Sequence, residues 1–120
     1  MPKTVLIVEE HFEMLALLCT IVRNYDYCVV AAMKGQEAFE KAKLQTPDLL
    51  LIDISIEPIE ALSAVRKIKN LDNQKDLPVI ALTRYNSTCF HRAIQAGCNE
   101  LLEKPIDFRV LKFLLKQYLR

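Results

Sequence analysis

The sequence predicts an α/β fold, a parallel sheet with helices packed on both faces. Two observations carry that expectation. Short apolar runs alternate with amphipathic stretches, in the order strand then helix, five times along the chain. The runs are continuously apolar, which marks strands buried on both faces, and such sheets are connected by right-handed helical crossovers. With 120 residues, about half of them apolar, the chain fits one domain over residues 1–120. A chain of that size buries a core without disulfides or a structural metal.

The elements follow in order. Thr4 to Val8 is a short β-branched run and reads as a buried strand. Phe12 to Asn24 reads as a helix, with Leu15, Leu18, Cys19 and Val22 at helical spacing. Tyr27 to Ala32 is the second strand. Gly35 to Gln45 is an Ala-, Glu- and Lys-rich helix that Pro47 prevents from continuing. Asp48 to Ile52 is a third buried strand, ending at Asp53. A helix from about Ile59 to Leu71 sets Leu62, Val65, Ile68 and Leu71 on one face. Leu77 to Thr83 is the fourth strand, and Ser87 to Ala96 a helix that Gly97 closes with a left-handed cap. Glu100 to Leu102 is a short fifth strand. Asp107 caps the last helix, whose apolar side is Val110, Leu111, Leu114, Leu115 and Tyr118.

Bulk properties exclude several classes. The formal net charge is +1, so bulk electrostatics point to neither nucleic acid nor an anionic membrane. Runs such as Leu49 to Ile52 and Val79 to Leu82 are far too short to span a bilayer. The run after Met1-Pro2-Lys3-Thr4 ends at Glu9, too soon for a signal peptide, so a cytoplasmic location is expected. Cys19, Cys28, Cys89 and Cys98 form no CxxC pair, and His11 and His91 complete no zinc pattern. The four thiols are expected to be reduced and to act as small hydrophobes.

In a parallel α/β sheet the functional crevice lies at the carboxyl ends of the strands, near the topological switch point. That rule selects Glu9 and Glu10, Asp53, Thr83, and Glu103 to Pro105. If the first and third strands are neighbours, Glu9, Glu10 and Asp53 converge. Like charges that close raise one another's pKa unless a cation joins them. Carboxylates and water suit a hard ion such as Mg²⁺. Lys104 brings an ammonium and Thr83 a hydroxyl donor. These parts suit a site that receives a phosphoryl group. Taken singly they have plainer readings: Asp53 as a turn carboxylate, Glu9-Glu10 as a first-turn acidic pair, Lys104 as a solvated charge.

Five fragments in order strengthen the set: Val5-Leu6-Ile7-Val8-Glu9-Glu10, Pro47-Asp48-Leu49-Leu50-Leu51-Ile52-Asp53, Pro78-Val79-Ile80-Ala81-Leu82-Thr83, Ala96-Gly97, and Glu103-Lys104-Pro105-Ile106-Asp107. Through them the chain resembles response-regulator receiver domains of bacterial two-component systems, over essentially its full length. The resemblance implies a flavodoxin-like (βα)5 doubly wound sheet of order 2-1-3-4-5. It implies a signalling phosphoacceptor rather than an enzyme. A histidine kinase or phosphotransfer protein would supply the phosphoryl group, and Asp53 would accept it. Mg²⁺ would be bound by Glu9, Glu10, Asp53 and the backbone carbonyl of Ser55, while Thr83 and Lys104 would contact the phosphoryl oxygens. A cis bond would join Lys104 to Pro105. An output partner or a second copy would dock on the face formed by the fourth helix, fifth strand and fifth helix.

Some positions depart from that family's pattern. Glu10 stands where Asp is usual, Glu57 precedes Pro58 where Pro comes one place earlier, and Ala61 replaces a common Gly. Arg84 follows Thr83 in place of a small residue, and Leu101 occupies the position of the switch aromatic. These residues keep open a second reading, a pseudo-receiver that binds proteins without phosphoryl chemistry. A third reading, a flavodoxin-like cofactor binder or nucleotide enzyme, lacks a Gly-rich loop after the first strand, and Glu9-Glu10 would repel phosphate there. His11 and Tyr85 read as loop residues in contact with solvent. Arg109, Lys112, Lys116 and Arg120 read as a solvated helix face, with a partner surface as the sharper alternative.

Overall fold

The computed structural model describes residues 2–55, 57–84 and 90–120. Its elements are β1 (Thr4–Val8), α1 (Phe12–Asn24), β2 (Cys28–Ala32), α2 (Gly35–Leu44), β3 (Leu49–Asp53), α3 (Pro58–Lys69), β4 (Val79–Thr83), α4 (Phe90–Ala96), β5 (Glu100–Glu103) and α5 (Phe108–Tyr118). The strands pair in parallel in the order β2-β1-β3-β4-β5, the expected doubly wound sheet. Val8 pairs with Ile52, so β1 and β3 end side by side at the point where the strand order reverses.

Alternation along each strand divides the interior. Leu6, Val8, Leu50, Ile52, Val79 and Ala81 turn to one face, where they meet Leu62, Val65 and Ile68 of α3 and Ala93 of α4. Val5, Ile7, Leu49, Leu51, Ile80 and Leu82 turn to the other, against Leu15, Leu18 and Val22 of α1 and Leu111 and Leu115 of α5. Successive strand residues face opposite sides, so a strand covered twice must be apolar throughout. Each fully buried Leu or Ile stabilises the fold by roughly 1.5–3 kcal/mol in transfer free energy.

The boundaries differ from expectation in instructive places. β4 starts at Val79 rather than Leu77, because Leu77 gives its N–H to the Gln74 carbonyl (3.1 Å) and Pro78 has none to give. β2 starts at Cys28, after Asp26 reverses the chain with φ 71°. α3 ends at Lys69, leaving Leu71 half-buried in the following turn. The helix expected from Ser87 is described only over Phe90–Ala96, since Ser87 lies outside the described residues.

Two expectations need correction. Val110 is not part of the apolar side of α5: it is 41% exposed, whereas Leu111, Leu114 and Leu115 are buried and Leu119 joins them. It sits at the margin of the stripe centred on Leu111 and Leu115, and the 100° step per residue turns it to solvent. Cys28 is not a buried hydrophobe either, for it opens the edge strand β2 and is exposed. Cys19 and Cys98 are buried, and burial pushes the Cys98 thiol up to about 11, which keeps it protonated and inert. Cys89 lies outside the described residues.

The basic row of α5 is exposed as expected, and two of its lysines are also engaged. Lys116 lies 4.9 Å over the Tyr27 ring and donates to the Tyr25 carbonyl (3.2 Å), and Lys112 lies 5.4 Å over the Tyr25 ring. This edge therefore faces the α1–β2 turn. Arg109 bonds the cap residue Asp107 (3.2 Å), whose carboxylate also accepts from the Arg109 N–H as expected of a helix cap. Among the described residues no helix is long and apolar enough to cross a membrane.

Gly97 closes α4 with φ 107°, giving its N–H to Ile94 while Cys98 gives its own to Ala93 (both 3.0 Å). A Cβ there would lie 2.8 Å from Lys69 Cδ, and Lys69 Nζ holds the Leu77 carbonyl (2.8 Å). Gly97→Ala is expected to lower unfolding free energy by about 1–2 kcal/mol, from the left-handed backbone alone. Urea denaturation reads the shift in midpoint.

Candidate functional site

The site begins with where three strands stop. Asp53 is the last residue of β3. Beyond it the Ile54 N–H bonds the Leu82 carbonyl (2.8 Å), which pins the outgoing chain to β4. The chain then folds back so that Ser55 donates both its N–H (2.6 Å) and its hydroxyl (2.5 Å) to Asp53 Oδ1. Lys104 follows β5, and its N–H holds the Thr83 carbonyl at the end of β4 (2.7 Å). The Lys104–Pro105 bond is cis. From that anchor Lys104 Nζ reaches across the sheet and donates to Asp53 Oδ2 and to Glu9 Oε1 (2.8 Å). Thr83, at the end of β4, is buried.

These charges are withdrawn from water. The side chains of Glu9, Asp53 and Lys104 are 0%, 4% and 10% exposed, so two carboxylates share one ammonium in a low-dielectric setting. Burial pushes the Asp53 carboxyl up, but the bonds from Lys104 and Ser55 outweigh it and hold the group below its ordinary 3.8. Burial likewise pulls Lys104 down, and the bonds to Asp53 and Glu9 outweigh that and hold it above its ordinary 10.5. The Asp53 contribution to stability is present above pH 3.8 and lost as pH falls through its depressed value. The Lys104 contribution is present below pH 10.5 and lost as pH rises through its raised value. Across the neutral range the pair is charged.

The acidic pair does not act as a unit. Glu9 turns inward to Lys104, and its other oxygen accepts from the His11 N–H (3.1 Å) with the His11 ring Nδ1 at 3.3 Å. Glu10 instead borders a cleft of about 250 Å³ together with Asp53, Lys34, Glu57 and Glu60. The two consecutive glutamates thus serve two places. So Asp53 stands between a lysine-bridged contact with Glu9 on one side and a cleft shared with Glu10 on the other. Among the described residues, no three His, Cys, Asp or Glu side chains are gathered closely enough to hold a metal ion as they stand. The donors at the cleft are nonetheless carboxylate oxygens in excess over the one cation, Lys34, a set that suits a hard divalent ion.

Ser55 lies beside Asp53, with its hydroxyl engaged, a contact that sequence reading did not anticipate. His11 is half exposed, as expected, but its ring is tied to Glu9. Arg84 is exposed, and Leu101 is half-buried against the core on the α3 and α4 side. Tyr85 lies outside the described residues. Lys34, Glu57 and Glu60 enter the cleft lining without a motif to announce them, because only the close approach of α2 to α3 brings them there.

Fold and centre together define a doubly wound α/β domain with a carboxylate–lysine pair at its switch point. The chain belongs to the response regulator receiver domain family, whose model matches residues 5–116. The polar-differentiation response regulator DivK of Brucella anthropi is 31% identical over 99% of this chain and 98% of its own length. Hybrid signal transduction histidine kinase M of Dictyostelium discoideum is 32% identical over 94% of this chain, which spans 5% of that protein. Among solved structures, the receiver domain of sensor histidine kinase PA1611 from Pseudomonas aeruginosa has a magnesium ion coordinated in its active site cleft. It is 27% identical, with a TM-score of 0.88 over 99% of this chain and 98% of that one. Chemotaxis protein CheY4 of Vibrio cholerae shares the fold, with a TM-score of 0.90 at 22% identity, over 99% of this chain and 100% of that one. Receiver domains are signalling domains of two-component and phosphorelay systems; they work with histidine kinases or phosphotransfer proteins and generally bind Mg²⁺.

Proposed function

We propose that this chain accepts a phosphoryl group on Asp53 from the phosphohistidine of a histidine kinase or phosphotransfer protein, and that the change alters a protein-interaction surface. The supporting observation is the buried Lys104 bridge from Glu9 to Asp53 Oδ2, which leaves the carboxylate ionised beside an open cleft. Oδ2 attacks phosphorus; the O–P bond forms as the P–N bond breaks, and the electron pair leaves on the imidazole nitrogen. Lys104, held by Glu9, then gives its hydrogen bond to a phosphoryl oxygen instead of Oδ2. Thr83 supplies a hydroxyl from the end of β4. A Mg²⁺ ion held by Glu10, Asp53 and the Ser55 carbonyl would neutralise phosphoryl charge there. Glu9 serves Lys104 more directly than it serves a metal.

For the output surface we favour the face of α4, β5 and α5, where Phe90, Ile94, Val110 and Phe113 are exposed. One observation supports the pseudo-receiver reading instead: Leu101 packs into the core with no ring to exchange positions behind Thr83. Phosphotransfer separates the two. Mixed with phosphohistidine-bearing phosphotransfer domains, the chain is expected to take label from at least one of them. Label that stays on every donor, while partner binding persists, supports the phosphorylation-independent module.

A further inference from the structure

We propose that the Ser55 hydroxyl occupies the position on Asp53 Oδ1 through which a divalent cation binds, so that this side chain sets the cation affinity of the site. The inference rests on the phosphoacceptor reading above. A carboxylate oxygen offers two in-plane lone-pair sites. Both sites of Oδ1 are filled, by the Ser55 N–H (2.6 Å) and the Ser55 hydroxyl (2.5 Å). Oδ2 carries Lys104. Phosphoryl acceptance needs one free site for phosphorus and another for the cation. On the reading above Oδ2 takes the phosphorus, which leaves Oδ1 for the cation.

The two donors on Oδ1 differ in how readily they leave. The Ser55 N–H belongs to a backbone pinned one residue earlier by the Ile54–Leu82 bond (2.8 Å). The hydroxyl is released by rotation about one single bond, and Ser55 is half-exposed, so water can take its place. A cation reaching Oδ1 therefore displaces the hydroxyl and spares the N–H. Binding is weakened by the hydrogen bond it breaks. The Ser55 hydroxyl thus acts through Asp53, apart from the Ser55 carbonyl that would hold the cation.

The test is a Mg²⁺ titration followed by backbone amide chemical shifts, on the wild-type chain, Ser55→Ala and Ser55→Thr. Ser55→Ala is expected to bind Mg²⁺ about five-fold more tightly, equivalent to ~1 kcal/mol. Ser55→Thr, which keeps the hydroxyl, is expected to match wild type. Equal affinity in Ser55→Ala and wild type overturns the inference while leaving the phosphoacceptor reading intact. Weaker binding by Ser55→Ala also overturns it, and makes the hydroxyl a ligand rather than a competitor. If neither protein binds Mg²⁺ or gains phosphoryl mass, the underlying reading has failed and the inference falls with it.

Discussion

Lys104→Ala is expected to lower the unfolding free energy at neutral pH by about 3 kcal/mol, the low end of the range for breaking a buried ion pair. The loss is large because the ammonium serves two carboxylates at once. Removing it strands Glu9, whose side chain is fully buried, and Asp53, which is nearly so. The low end applies because Lys104 itself retains some contact with water. The deficit also has a pH signature. In the wild type Asp53 contributes stability above pH 3.8 and loses it as pH falls. Without the ammonium, burial, the largest influence on Asp53, goes less opposed and raises its pKa relative to the wild type. Protonation then relieves the variant at pH values where the wild type is still fully stabilised. The gap between the two proteins should narrow as pH falls from 7 toward 4, read by urea denaturation at each pH. A gap that stays constant would mean that the carboxylates find another partner.

Asp53→Asn is expected to reduce phosphoryl uptake from acetyl phosphate to the level of a blank. The amide matches the carboxylate in shape but has no anionic oxygen to attack phosphorus. Its carbonyl oxygen can still accept from Ser55, and Lys104 keeps Glu9 as partner. The amide NH₂ then faces the Lys104 ammonium, donor against donor, so a loss of about 1 kcal/mol is expected, short of the Lys104→Ala effect because Lys104 and Glu9 stay paired. The two variants thus separate the lysine's structural role from the aspartate's chemical one. Uptake by Asp53→Asn at the wild-type rate would place the acceptor elsewhere.

The fold was legible because its strands are short, apolar throughout and spaced by amphipathic helices; α1 falls on Phe12–Asn24 as the periodicity predicts. Errors arose at margins. Val110 has the right composition for the α5 stripe but the wrong angle, and Cys28 has the right chemistry for a core but stands on an edge strand. Local pattern does not say what lies beyond a helix flank or a sheet edge. At the site, strand-end position alone selected Asp53, Thr83, Lys104 and the acidic pair. That Glu9 would turn to Lys104 and Glu10 to the cleft depends on a contact between residues 95 positions apart. The Ser55 hydroxyl and the Glu57–Glu60 edge depend on a turn and a helix start that carry no distinctive spacing.

The most direct test of the central claim is localisation of the phosphoryl group. The wild-type chain is incubated with acetyl phosphate and Mg²⁺, its intact mass is measured, and the modified residue is then identified by borohydride reduction and peptide mapping. A gain of one phosphoryl group that maps to Asp53 is the expected result. No gain in mass, or a gain that maps to any other residue, would contradict it.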